Sequence, residues 1–188
     1  MSDDVGPTGS AAPMKDPTME LPPGAVLTPL PVVIDSDNFT PRLLSLLSNR
    51  LVARESHALR ARFGLGTNDW RVIAAIAVWP GVTASELSEF VAVNKAIVSK
   101  SVSVLSERGL IVQAEEVRRA RQLYLTAAGA QMHDAMLPIS MRGQEIILAD
   151  LSAEEVSRLN RLLHRLLARA RELQAEDASD EPADAEED

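Results

Sequence analysis

Three arginines, Arg118, Arg119 and Arg121, sit close together in a polar run that separates two short apolar segments. Guanidinium groups clustered on a tight connection suit phosphate, because each offers a planar fork of donors that stays charged. Upstream, Asn94, Lys95, Ala96, Ser99, Lys100 and Ser103 recur at helical spacing. Small or hydrogen-bonding side chains on one helix face let that helix enter a DNA major groove about 12 Å wide and reach base edges. Catalytic chemistry has much less to work with. His57, His133 and His164 fall on separate segments without metal-ligand spacing. Gly64-Leu65-Gly66 lacks the third glycine and the preceding strand of a dinucleotide loop. The chain has no cysteine, which removes disulfides, thiolate metal sites and thiol redox chemistry. These residues point to binding without catalysis, cofactor or metal.

The elements that must position them can be read from caps and periodicity. Thr83 and Glu86 have the spacing of a capping box. Val91-Ala92-Val93 makes an apolar turn, and Asn94 is a good N-cap for the helix that follows. Gly109 stands where a left-handed C-cap ends that helix. At about 100° per residue, Val98, Val102 and Leu105 fall together toward a core, opposite Ala96, Ser99, Lys100 and Ser103. Leu110 to Ala114 and Gln122 to Leu125 have strand character. A helix-turn-helix followed by a basic β-wing accounts for this order of elements. The serine and lysine face also fits an ordinary solvated helix; the wing behind it favours DNA.

These residues resemble the MarR-type winged-helix regulators over residues 39–174. The likeness rests on Asp69-Trp70-Arg71, Ser85-Glu86-Leu87, Val98-Ser99-Lys100, Leu105 with Gly109-Leu110-Ile111, Arg118-Arg119, and Leu125-Thr126 with Gly129. Four positions depart from the family pattern. Val117 replaces an aspartate before the wing arginines, Ser103-Val104 replaces an acidic–basic pair, and Gln113 replaces an arginine. The resemblance implies a mainly α fold with a small β-wing, and a helical dimerisation region built from the N- and C-terminal helices. It also implies a homodimer on double-stranded DNA with a pseudo-palindromic operator, and a small-molecule effector.

Charge divides along the chain. The net charge is −8, yet residues 41–175 hold 18 basic and 13 acidic residues, so the acidity lies in the ends. Residues 1–40 carry one lysine against six acids, and residues 176–188 carry eight acids and no base. The body is basic, and the whole-chain value says little about DNA. No long apolar run and no basic-then-apolar leader is present, so a cytoplasmic protein with no membrane contact is expected. Aromatic residues make up 3%, so the core must be aliphatic.

The remaining segments place a second candidate site. Residues 1–38 are expected to be a disordered, Pro-rich extension, with an apolar stretch at 25–34 that reads as a strap or a linker. Thr40-Pro41 opens a helix over 40–63. It carries a stripe of Leu43, Leu47, Leu51, Ala58 and Ala61, with Arg54 inside the stripe and Arg50 and His57 on its edge. A charge on an apolar face needs a partner. The resemblance suggests an aromatic carboxylate effector held by Arg54, with Arg50, His57 and Trp70 nearby; a salt bridge to a neighbouring subunit is the other reading. Thr67 is expected to cap a segment through Val78 that buries Trp70, Ile73, Ala74 and Ala77. The winged helix-turn-helix spans 67–126. Helices over 127–174 follow, with a kink or break near Leu137 because of Pro138, and a Ser152–Glu155 capping box. Val156, Leu159, Leu163, Leu166, Ala170 and Leu173 then form a seam suited to a long partner helix. Residues 176–188 are expected to be a disordered acidic tail. The resulting expectation is a ligand-responsive, sequence-specific DNA-binding regulator acting as a repressor. The alternative is a winged-helix protein-interaction module with weakened DNA binding.

Overall fold

The computed structural model describes residues 22–114 and 121–180, the last eight as backbone only. The chain divides into two units, 1–43 and 44–188. In the first, Asp35 builds the turn ahead of the first helix. Its carboxylate accepts from Asn38 Nδ2 at 2.7 Å and from Asp37 N–H at 3.1 Å, and those bonds hold it below the usual carboxylate range. The apolar side chains of 26–34 are exposed, up to 87% at Val32.

Helix α1 runs Thr40–Phe63, the range expected, and Phe39 O accepts from Leu43 N–H at 3.2 Å in its first turn. Then come α2 (Thr67–Val78), β1 (Val82–Thr83), α3 (Ala84–Val91), α4 (Lys95–Glu107), β2 (Ile111–Ala114), β3 (Gln122–Leu125), α5 (Ala127–Leu148) and α6 (Ala153–Asp180). The sheet is antiparallel in the order β1-β3-β2, with Val82 opposite Leu123 and Ile111 opposite Leu125. No helix among the described residues is long and apolar enough to cross a membrane.

The core is aliphatic except for Trp70. It joins Leu59 at the end of α1, Ile73 and Ile76 of α2, Leu87 of α3, Val98 and Leu105 of α4, Leu123 of β3, and Met136 and Ile139 of α5. Each such side chain, fully buried, contributes about 1.5–3 kcal/mol. Helix α2 is the centre, touching α3, α4, α5 and β3. Gly129 lets α5 approach the sheet: a Cβ there would stand 1.9 Å from Leu110 O. Thr126 closes the same corner, accepting from Gly129 N–H at 3.0 Å and donating to Gly109 O at 2.7 Å.

Several expectations need correction. The cap of α2 is Gly66, not Thr67. Trp70 N–H donates to Gly66 O, and Asp69 Oδ2 accepts from Gly66 N–H at 2.8 Å. Glycine serves as an N-cap, and Asp69 suits the positive end of the helix. Ala77 is exposed, and Val72 and Ala75 are buried instead. Helix α5 runs through Pro138 without a break. Proline removes one donor and one helix bond, which a long packed helix can absorb. Helix α6 continues to Asp180, five residues into the segment expected to be disordered. No proline or glycine interrupts it before Pro182, and the residue preceding a proline disfavours helix. Strand β1, two residues long, was too short to carry a sequence signal.

One face remains without a partner. Leu59 is the only fully buried residue of α1, while Leu44, Leu46 and Leu47 are exposed. Helix α6 buries no described side chain, and Leu162, Leu166 and Leu167 are 45–59% exposed.

Candidate functional site

The helix-turn-helix is fixed at the start of α3 and at the turn into α4. Thr83 Oγ1 accepts from Glu86 N–H at 3.3 Å, and Glu86 Oε2 accepts from Thr83 N–H at 2.8 Å, the reciprocal pair of a capping box. Hydrogen bonds from the Thr83 backbone and then its hydroxyl hold the Glu86 carboxyl below the usual range. Ala92 takes the left-handed conformation at φ 52°, and Ser88 Oγ donates to Val93 O at 2.7 Å. Asn94 Oδ1 then accepts from Ile97 N–H at 2.9 Å and starts α4.

On α4, Val98, Val102 and Leu105 are buried, and Lys95, Ala96, Ser99, Lys100 and Ser103 are exposed together, as the wheel requires. Asn94 is exposed too, though the cap occupies its side-chain oxygen. Ser99 and Ser103 line a groove of about 390 Å³ with Ser85 of α3, Gln113 of β2 and Arg121 beside β3. Helix face and wing base are therefore one surface. Arg118 and Arg119 lie outside the described residues. Ser85 was noted in the sequence only as a mark of likeness and Gln113 only as a departure from the family pattern; nothing in their spacing signalled that they share a groove with the serines of α4.

A second feature is a cleft of about 550 Å³ between α1, α2, α5 and α6. Its walls are largely aliphatic, including Leu47, Leu51, Ile147 and Leu163, with Trp70 at one side. Arg54, Glu55, Arg71, Ser140, Gln144 and Asn160 supply its polar groups. Arg54 Nη1 donates to Ile139 O at 3.2 Å, and Ser140 Oγ donates to Glu55 Oε1. Gly143 makes room for the guanidinium, for a Cβ there would lie 3.3 Å from Arg54 Nη1. Trp70 is 6% exposed and meets the His133 ring at 5.4 Å between centroids.

Of the residues expected around an effector, Arg54 and Trp70 share this cleft; Arg50 and His57 do not line it. At about 100° per residue the cleft-facing arc of α1 runs from Arg54 to Val52, and Arg50 and His57 fall 40–60° beyond its edge. Arg54 makes no ion pair among the described residues; its partner is a backbone carbonyl.

A profile of the MarR family matches residues 63–122. Transcriptional regulator HosA of Escherichia coli O127:H6 is 29% identical over 125 residues, covering 59% of this chain and 93% of HosA. A MarR/EmrR family transcriptional regulator from Acinetobacter sp. ADP1 superposes with a TM-score of 0.69 at 23% identity, over 74% of this chain and 99% of that one. The PcaV transcriptional regulator from Streptomyces coelicolor, solved in complex with its natural ligand, gives 0.63 at 21% identity, over 74% and 99%.

Proposed function

The chain is a MarR-family winged-helix transcriptional regulator, and on that premise we propose that it is a cytoplasmic homodimeric repressor. It binds a pseudo-palindromic operator and releases it when a small aromatic carboxylate fills the cleft. The observation that carries the DNA half is the groove shared by Ser99, Ser103 and Arg121, which joins base-reading and phosphate-binding groups on one surface. Helix α4 enters the major groove, and the wing arginines Arg118, Arg119 and Arg121 meet the minor groove and phosphates. The exposed leucines of α1 and α6 support the dimer, because apolar side chains repeated along two long helices call for a partner. A two-fold dimer presents its two α4 helices about 34 Å apart on one face of the duplex.

The cleft supports the effector half. It is apolar, bordered by an indole, and supplied with Arg54 and Arg71, the chemistry an aryl acid needs. The ligand-bound description of PcaV agrees with a ligand-binding role. A ligand shifts an equilibrium only by its differential affinity for two states. The cleft lies between the leucine-bearing helices α1 and α6 and the DNA-reading lobe, so its occupancy bears on lobe spacing. A thermal-shift screen of aromatic acids tests this: a ligand at about 100 times its Kd adds roughly 2.7 kcal/mol of stability. The proposal expects a raised melting temperature with benzoate-like acids and none with their neutral amides; equal shifts with both would remove the carboxylate from the reading.

A further inference from the structure

Helix α4 ends in a Schellman turn. Gly109 N–H donates to Ser106 O and Leu110 N–H to Leu105 O, both at 2.9 Å, with Gly109 at φ 67°. The residue before that glycine does not fold back on its own helix. Arg108 Nη1 donates to Phe63 O and Nη2 to Gly64 O, each at 2.9 Å. These acceptors belong to the end of α1, where carbonyls lack intrahelical donors. Gly64, at φ 63°, makes the fit possible: a Cβ on it would already lie 3.4 Å from Arg108 Nη2. One guanidinium thus stands at the C-terminal ends of two helices, where a positive charge is favourable to both. The two-pronged contact also fixes orientation, which a point charge would not.

We infer that Arg108 is a positioning residue that latches the C-terminal end of α4 to the end of α1, so that the setting of the DNA-reading helix follows α1. Direct phosphate contact does not account for it. Arg108 lies about 20 Å along α4 from Asn94, at the end away from the base-reading face, and both forks of its guanidinium are engaged. The latch also gives the cleft a mechanical route to α4. Arg54 and Glu55 line the cleft on α1, about 15 Å along that helix from the Arg108 contact. The inference rests on the dimeric DNA-binding reading for its functional test, and one arm below does not need the dimer.

The test uses the full chain and a duplex selected by the wild type from a random-sequence pool, together with versions one base pair longer or shorter between half-sites. Wild type is expected to lose at least 100-fold in affinity on either spacing change. Arg108→Ala is expected to bind the parent duplex about 10-fold less tightly, and to lose less than 10-fold on changed spacing, because its α4 helices are no longer held. Arg108→Lys, which keeps the charge without the fork, should fall between and serves if the alanine variant does not fold. If both variants keep the wild-type spacing ratio, with all duplexes weakened by one factor, the latch is wrong. A uniform loss with a salt slope lower by about one unit would make Arg108 a phosphate contact instead. For the dimer-independent arm, the absence of native cysteine allows spin labels at Arg62→Cys and Glu107→Cys, with unlabelled chain in excess. A narrow α1–α4 distance distribution should broaden in Arg108→Lys; an unchanged width would also overturn the latch.

Discussion

Arg54 and Arg121 carry the same charge into different surroundings. Arg121 is exposed at the mouth of a polar groove beside Ser99 and Ser103, open to a phosphate. Arg121→Ala should weaken every DNA sequence alike and reduce the salt slope by about one unit, measured by anisotropy over a salt series. Arg54 faces an apolar cleft, with one nitrogen already on Ile139 O. Arg54→Ala should bind DNA normally and lose about 1.5–3 kcal/mol of aromatic-acid affinity, read by calorimetry. A modest fall in melting temperature should accompany it, from the lost bond to α5. The stripe position of Arg54 was legible in the sequence; its backbone partner was not, because Ile139 is distant in the chain and a carbonyl leaves no mark on residue type.

At the scale of elements, the caps were the most legible feature, since each is a local bargain between neighbouring residues. Thr83–Glu86, Asn94, Gly109, Thr126 and Ser152–Glu155 all act where their spacing placed them. The two-residue β1 and the unbroken α5 depend on tertiary neighbours, which local pattern cannot supply; the Gly66 cap is local, but glycine has no side chain to mark it beside Thr67. The caps also set a pH dependence. Glu86 and Glu155 are held below the usual carboxylate range by bonds from Thr83 and Ser152. A depressed folded pKa gives stabilisation that is complete above the unfolded value of about 4.3 and is lost as pH falls through the folded value. Melting temperatures of wild type and Glu86→Gln should therefore differ by a constant amount from pH 6 to 8 and converge as pH falls below about 4. Gly129→Ala tests packing at the wing corner. Its Cβ would overlap Leu110 O, so chemical denaturation should show a loss of about 2–3 kcal/mol with an unchanged family of contacts elsewhere.

Across the whole molecule, charge and apolar surface are segregated rather than mixed. The basic body carries the groove, while 176–188 carry eight acids, five of them beyond the end of α6. The exposed leucines of α1 and α6 explain why their periodic stripes were legible while their partners were not: the stripe at Leu47, Leu51, Leu159 and Leu166 does not close on its own chain's core. Specific DNA binding under ligand control is the function we propose from these features. The most direct measurement is fluorescence anisotropy of the selected duplex against a scrambled duplex, at moderate salt, with and without saturating benzoate-like acid. The account expects the selected duplex to bind at least about 1,000-fold more tightly than the scrambled one, and the acid to weaken the selected duplex alone by tenfold or more. Equal affinity for both duplexes, unchanged by any aromatic acid, would contradict it.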